Sequence, residues 1–489
     1  MSHTHTSPLP ARQPPHKPPG PPDRWWGLPL LREMRDDYLA FEARMRREHG
    51  EICVLRLGYE RAWNLMSPEL VREALVGQHA QLIRWERGIE VFSQVLGQSV
   101  LVSEGETWQR QRRMLMPAFT PRRVAGYATL MAQAAQRVLD RALLLNQSQG
   151  TVAMDDLWSE ATMDVILQVL FSHPAEGDAR RAAEANRTLG ETGYREMFMP
   201  MTLPDWLPLP GKRAKRQALC TLRGLIQRHI DARPTGDTAQ GEAQDLLGML
   251  LSLRDEDSGA ALTPEEVFDQ CMVTFQAGHD TTTSGLLWWS WLMASHPEAA
   301  QRATDEVDAV LGGAMPTAED AARLPWLQAT LKEALRLYPP APALMSRRTT
   351  APIALGGWSI PKGSMLRLTP WVLHRDEQLF PQAERFLPER FMAGAPPIPK
   401  GAWMPFGAGP RVCIGQHFAQ LEMALLAAML LQRYRLAVPP GAEPPTPLLH
   451  VTLKSAQPIR LVLQRRAPTA APAASGLRSP SPSPATRAP

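Results

Sequence analysis

The stretch Phe406-Gly-Ala-Gly-Pro-Arg-Val-Cys-Ile-Gly415 constrains this chain more than any other. It sets one cysteine, Cys413, among Gly407, Gly409 and Gly415, with Arg411 two residues before it and an apolar helical pattern after it. Glycines at this density admit another group close to the backbone, because they carry no Cβ. Backbone N–H groups in such a turn can point at the sulfur, and hydrogen bonds to a thiolate tune its electron donation. A metal-ligating thiolate needs a setting of this kind. The plainer alternative is a small buried residue filling space before a helix.

The 489 residues show no composition break or linker in the middle, so one large domain is expected from 25 to 466. The ends differ. Residues 1–24 are rich in proline and residues 467–489 are mostly Ala, Pro, Ser and Arg; both read as disordered tails, too poor in apolar surface to offset ordering entropy. There is no run of about 18 apolar residues and no secretory pattern, so the sequence implies no membrane anchor and a cytoplasmic location. Cys53, Cys220, Cys271 and Cys413 form no Cys-x-x-Cys pair, which leaves zinc and disulfide frameworks unsupported. A formal charge of +4 is small for this length and argues against a dedicated nucleic-acid protein.

Helical patterns dominate from Trp25, with strand-like runs near 51–56, 351–360, 364–368 and 459–463. The fold class is therefore mainly α with small β-sheets (α+β). The longest helix candidate opens at Thr263-Pro264-Glu265-Glu266, an N-cap, a proline at the first helical position and a capping box, and nothing stops it before His296-Pro297. Its apolar residues face all round, so it is expected to be buried and to cross the whole domain. Inside it lies Ala277-Gly278-His279-Asp280-Thr281-Thr282-Thr283, a poor helix-forming run in which Thr281 can turn its hydroxyl to the Ala277 carbonyl.

The Phe406–Gly415 stretch resembles the cysteine-ligand signature of the cytochrome P450 superfamily, the haem-thiolate monooxygenases. That resemblance implies haem b as cofactor, Cys413 as axial iron ligand, Arg411 as a propionate partner, and Phe406 and Gly407 packed beside the sulfur and porphyrin. It implies the family fold, with the long helix crossing over the haem. The run around Asp280-Thr281 resembles the family's oxygen-binding groove, where an acid–alcohol pair delivers protons to dioxygen. Trp108 and Arg112, four apart on one helix face, resemble the pair that contacts a propionate. Arg347 is a further candidate for that contact, and Arg348 is equally plausible on register. Glu333-Ala-Leu-Arg336 with Pro388-Glu-Arg390-Phe resembles the family's buried structural triad of Glu333, Arg336 and Arg390. His417 reads as a surface or haem-edge residue.

The implied function is oxygenation, by hydroxylation or epoxidation, of a hydrophobic small molecule, a fatty acid or terpenoid-like compound. The alternative is a peroxide-using or rearranging relative, against which the acid–alcohol pair argues. No reductase is read after Cys413, so electrons are expected from a ferredoxin or flavodoxin with its reductase. Arg110, Arg113, Arg122, Arg123 and Lys400 are candidates for its basic docking face. A monomer is expected. The methionine-rich run Met197–Leu207 is a candidate gate.

Overall fold

A computed structural model of the chain describes residues 18–172, 178–199, 201–232 and 245–467, with the side chains of 142–149 outside that description. The expected tails at 1–17 and 468–489 lie outside the described residues. Residues 18–24, expected within the first tail, run beside the first strand, where Val54 N donates to Pro19 O at 2.8 Å.

The long helix spans Pro264–Ser295, 32 residues, or about 48 Å at 1.5 Å per residue. Thr263 and Glu266 close the expected capping box on its first turn. The helix runs without a break through the glycine–threonine run, where Thr281, Thr282 and Thr283 each donate to the carbonyl four residues back. Its far half is the centre of the core. Trp288 and Trp289 are fully buried. Trp289 Nε1 donates to Thr330 Oγ1 at 3.0 Å, and the Trp288 ring stacks on Tyr338 at 4.0 Å. Truncating either tryptophan would cost about 3–5 kcal/mol.

Two helices pin the long one from opposite sides. Met154–Phe171 reaches it through Trp158 Nε1 to Ser290 Oγ at 2.8 Å and the Thr162–Thr283 hydroxyl pair at 2.7 Å. Gln416–Arg433, which follows the cysteine, crosses at Gly285, where an added Cβ would stand 2.9 Å from Met423 Sδ. Glycine is required there by the approach of that neighbour.

The main sheet has five strands in the order Ile52–Leu57, Glu60–Leu65, Met365–Leu368, Arg347–Thr349, Leu82–Arg84. All its pairings are antiparallel except Glu60–Leu65 with Met365–Leu368. A small hairpin pairs Pro447–Leu449 with Leu453–Ser455 and hangs its turn over the middle of the long helix. Among the described residues no helix is long and apolar enough to cross a membrane.

Candidate active site

The loop before Cys413 is folded by its own backbone. Gly407 N donates to Met404 O, and Cys413 N donates back to Phe406 O, each at 3.0 Å. Gly407 and Gly409 have φ of +75° and +74°, the left-handed region that glycine enters without strain. At Gly409 a side chain is doubly forbidden, because its Cβ would lie 2.1 Å from the Leu75 carbonyl oxygen. The result presents the Cys413 sulfur to a cavity of about 910 Å³. Burial pushes the thiol's pKa up, while the Gly415 amide bonded to the sulfur and the charge of Arg112 pull it down.

Cys413, Phe406, Gly407, Arg411, Trp108, Arg112, Arg347, Asp280 and Thr281 all line this one cavity. They come from the loop, the helix Gly105–Leu115, the strand Arg347–Thr349 and the long helix. Arg348 does not join them. It turns away into ion pairs with Glu60 at 2.7 Å and Glu86 at 3.0 Å, so that of the two only Arg347 lines the cavity. The Arg411 guanidinium lies 4.1 Å over the Trp108 ring and pairs with Glu104.

One end of the cavity is overloaded with positive charge. Arg84, Arg112, Arg347 and Arg411 gather there around the carboxylate of Glu104. Burial together with the charge of Arg411 lowers Arg347 to about 10, and burial with the charges of Arg411 and Arg347 drives Arg84 well below its ordinary value. Arg84 Nη1 is buried without a partner. Guanidiniums crowded in this way call for an anionic ligand. A flat group carrying two carboxylates and a thiolate-ligated metal matches that donor set. Arg84, which the sequence did not single out, belongs to this cluster.

On the opposite wall Thr281 Oγ1 donates to Ala277 O at 2.8 Å, as its spacing predicts. Asp280 is clamped from the hairpin: the Thr452 hydroxyl donates to one carboxylate oxygen and Lys454 Nζ to the other. Burial opposes its ionisation, yet the Lys454 charge and hydrogen bonds hold its pKa below the usual carboxylate value. Lys454 is 29% exposed, so the pair reaches solvent. The sequence reading missed Lys454. Lys454 lies two residues beyond Thr452, in the second strand of the hairpin.

The remaining walls are mostly apolar. Helix Asp178–Met197 contributes the stripe Asn186, Leu189, Gly190, Gly193, Tyr194 and Met197. Phe198 and Met199 of the methionine-rich run also line the cavity.

Glu333, Arg336 and Arg390 lie outside the cavity and meet each other. Arg336 forms a two-pronged pair with Glu333 at 2.7 Å per bond, both residues 0% exposed, and Arg390 Nε reaches Glu333 at 3.3 Å. The other Arg336 donors go to the carbonyls of His374, Ala383 and Arg385. His374, unremarked in the sequence, extends this knot to the cysteine loop. Its Nδ1 donates to Arg336 O and its Nε2 accepts from Met404 N, both at 3.0 Å.

A loop-borne thiolate, an arginine cluster and a threonine–aspartate pair on a buried helix define a haem-thiolate site. The cytochrome P450 family model matches residues 18–462. The chain is 35% identical over 398 residues to cyclooctat-9-en-7-ol 5-monooxygenase of Streptomyces melanosporofaciens, covering 80% of this chain and 84% of that protein. It is 34% identical to cyclooctatin synthase of the same organism, covering 86% and 89%. It is 30% identical to pentalenene oxygenase of Streptomyces avermitilis, covering 86% and 91%. The chain belongs to the cytochrome P450 family and is a haem-dependent monooxygenase. Like its family it takes electrons from a redox partner and acts on a hydrophobic substrate.

Proposed function

We propose that this enzyme hydroxylates or epoxidises a terpenoid-like molecule, with electrons from a ferredoxin or flavodoxin and its reductase. The observation that carries the reading is the cavity of about 910 Å³, apolar on most sides, with Cys413 on one wall and Thr281 on another. A fused-ring hydrocarbon skeleton suits such a chamber, since burial of apolar surface supplies most of its binding. The names of the three relatives point the same way. Haem, once bound, supplies the activation of dioxygen and the insertion of one oxygen atom into the substrate.

The residues divide that work. Cys413 would hold the iron through its sulfur, which accepts a hydrogen bond from the Gly415 amide. Arg112, Arg347 and Arg411, with Trp108 beneath Arg411, would hold the propionates together with Arg84. Phe406 and Gly407 would pack against the porphyrin. Thr281 keeps its lone pairs free to hold a water, and Asp280 feeds that water with protons. The Lys454 ammonium links Asp280 to solvent. Glu333, Arg336 and Arg390 hold the fold behind the site. The acid–alcohol pair favours dioxygen over the peroxide-using alternative.

The test is a panel of terpenoid skeletons and fatty acids titrated into the ferric holoenzyme, following the Soret shift, with products then analysed by mass spectrometry under labelled dioxygen. Terpenoids should shift the band and gain one labelled oxygen. A response confined to fatty acids would overturn the proposed substrate class.

A further inference from the structure

A buried cluster of charge lies away from the reacting groups, where two walls of the cavity meet. One wall is the helix Glu86–Leu96, which lines the cavity with Gly88, Val91 and Val95. The other is the last half of helix Asp178–Met197, which lines it with Gly190, Gly193 and Met197. Lys212 and Lys215 belong to the first turn of the next helix, Lys212–Asp231, and their side chains are only 8% and 2% exposed. Lys212 pairs with Glu196, and with Asp205 at 2.7 Å. Lys215 pairs with Glu196 at 3.0 Å and Asp205 at 3.1 Å, and donates a further bond to Gln94 of the first wall. Arg87 of that wall donates to the Glu196 carbonyl and the Thr202 hydroxyl. Two ammonium groups thus meet two carboxylates, and the cluster ties all three helices together without net charge.

This seam borders the way in. The cavity reaches the surface at Leu28, Tyr59 and Met199, which line it and stay exposed. Met199 N donates to Glu196 O at 3.1 Å, so the residue that anchors the cluster also holds one lip of the opening. A seam closed by apolar side chains loses their burial when it parts. A seam closed by ions recovers their hydration, which offsets much of what the broken pairs were worth. An ionic seam therefore parts at low cost, yet it closes in the one register that pairs its charges. We propose that Glu196, Asp205, Lys212 and Lys215 form a latch between helix Glu86–Leu96 and helices Asp178–Met197 and Lys212–Asp231, and that its opening sets how fast bulky ligands enter and leave. The latch closes over the free and the loaded chamber alike, so entry and exit change together and affinity stays nearly constant. The inference concerns passage and holds for any bulky ligand, so it stands apart from the terpenoid reading.

The test follows imidazole and an imidazole carrying a biphenyl group as they bind the ferric holoenzyme in stopped flow, through the Soret shift that a nitrogen ligand on the iron produces. Lys215→Met leaves two carboxylates facing one ammonium in the closed seam. Entry and exit of the biphenyl probe should both quicken about tenfold or more, with the dissociation constant within about threefold. Glu196→Met combined with Lys215→Met removes one charge of each sign and closes the seam with apolar side chains. Both rates should then fall about tenfold below wild type, again at nearly constant affinity. Imidazole, small enough to pass without the seam parting, should keep its rates within about twofold in each variant. Unchanged biphenyl rates in both folded variants, rates that move in the same direction in both, or equal effects on imidazole would each overturn the latch. If Lys215→Met fails to fold, the double variant decides alone: slower exchange supports the latch, and unchanged or faster exchange overturns it.

Discussion

Cys413 and Thr281 face the same cavity from opposite walls, and each supports a measurement that isolates it. Cys413→Ser should abolish the strongly red-shifted Soret band of the reduced carbon monoxide complex, since that shift requires a thiolate opposite the carbon monoxide. Survival of the band would put the ligand elsewhere. Thr281→Ala should keep substrate binding and NAD(P)H consumption while hydrogen peroxide replaces organic product, because the water that the hydroxyl holds is lost. Asp280→Asn should instead slow the whole cycle and be partly rescued by added peroxide, which brings its own protons. A fully coupled Thr281→Ala enzyme would assign the relay to other groups. Both residues were legible as candidates in the sequence because the chemistry needs its residue types within one turn or one loop. What escaped was the far partner of Asp280. Lys454 is 174 residues from Asp280, and nothing local announces a contact that only the folded hairpin creates.

At the scale of elements, the knot of Glu333, Arg336 and His374 joins a helix, a turn and the cysteine loop. Arg336→Ala should leave Glu333 buried without its main partner and cost about 3–5 kcal/mol, a large share of the stability of a typical domain. Little folded, haem-loaded protein is the expected yield. Normal haem content with merely slower turnover would contradict a structural role. The two buried histidines give the fold an acid limit. His279 and His374 are lowered to about 4 and about 3 by burial, whereas an unfolded histidine titrates near about 6.5. Between those values the unfolded chain binds more protons than the folded one, so stability falls as pH drops below about 6.5. The slope approaches about 1.4 kcal/mol per pH unit for each histidine. Melting temperature against pH, compared with His374→Gln, measures it, and a flat profile from pH 7 to 4.5 would refute it. The long helix was legible to its caps because capping chemistry is local. The main sheet was legible only in part: the runs at 51–56 and 364–368 fall on two of its strands, whereas Glu60–Leu65, Leu82–Arg84 and Arg347–Thr349 depend on pairings that reach across the chain.

For the whole molecule the open question is where the electron donor docks. Two of the five basic residues expected on its face are already engaged, Arg110 with Glu266 and Arg113 with Asp255 and Asp257. Charge already neutralised within the chain adds little long-range attraction, whereas Arg122 and Lys400 are exposed. Arg122→Glu and Lys400→Glu should therefore weaken reduction by a ferredoxin more than Arg113→Glu does, and the difference should shrink as salt rises. Equal effects at every ionic strength would move the docking face elsewhere. The sequence revealed the charges but not their internal pairings. The breadth of the chamber has a different kind of consequence. Gly190 and Gly193 line it from a helix, and a Cβ would meet nothing within 4 Å at the first and only Val91 Cγ1, at 3.7 Å, at the second. Each glycine weakens that helix by about 1 kcal/mol relative to alanine. A lineage drifting at these two codons would gain robustness with each step while narrowing its diet, so in this chamber generalism is the fragile condition and specialisation the sturdy one.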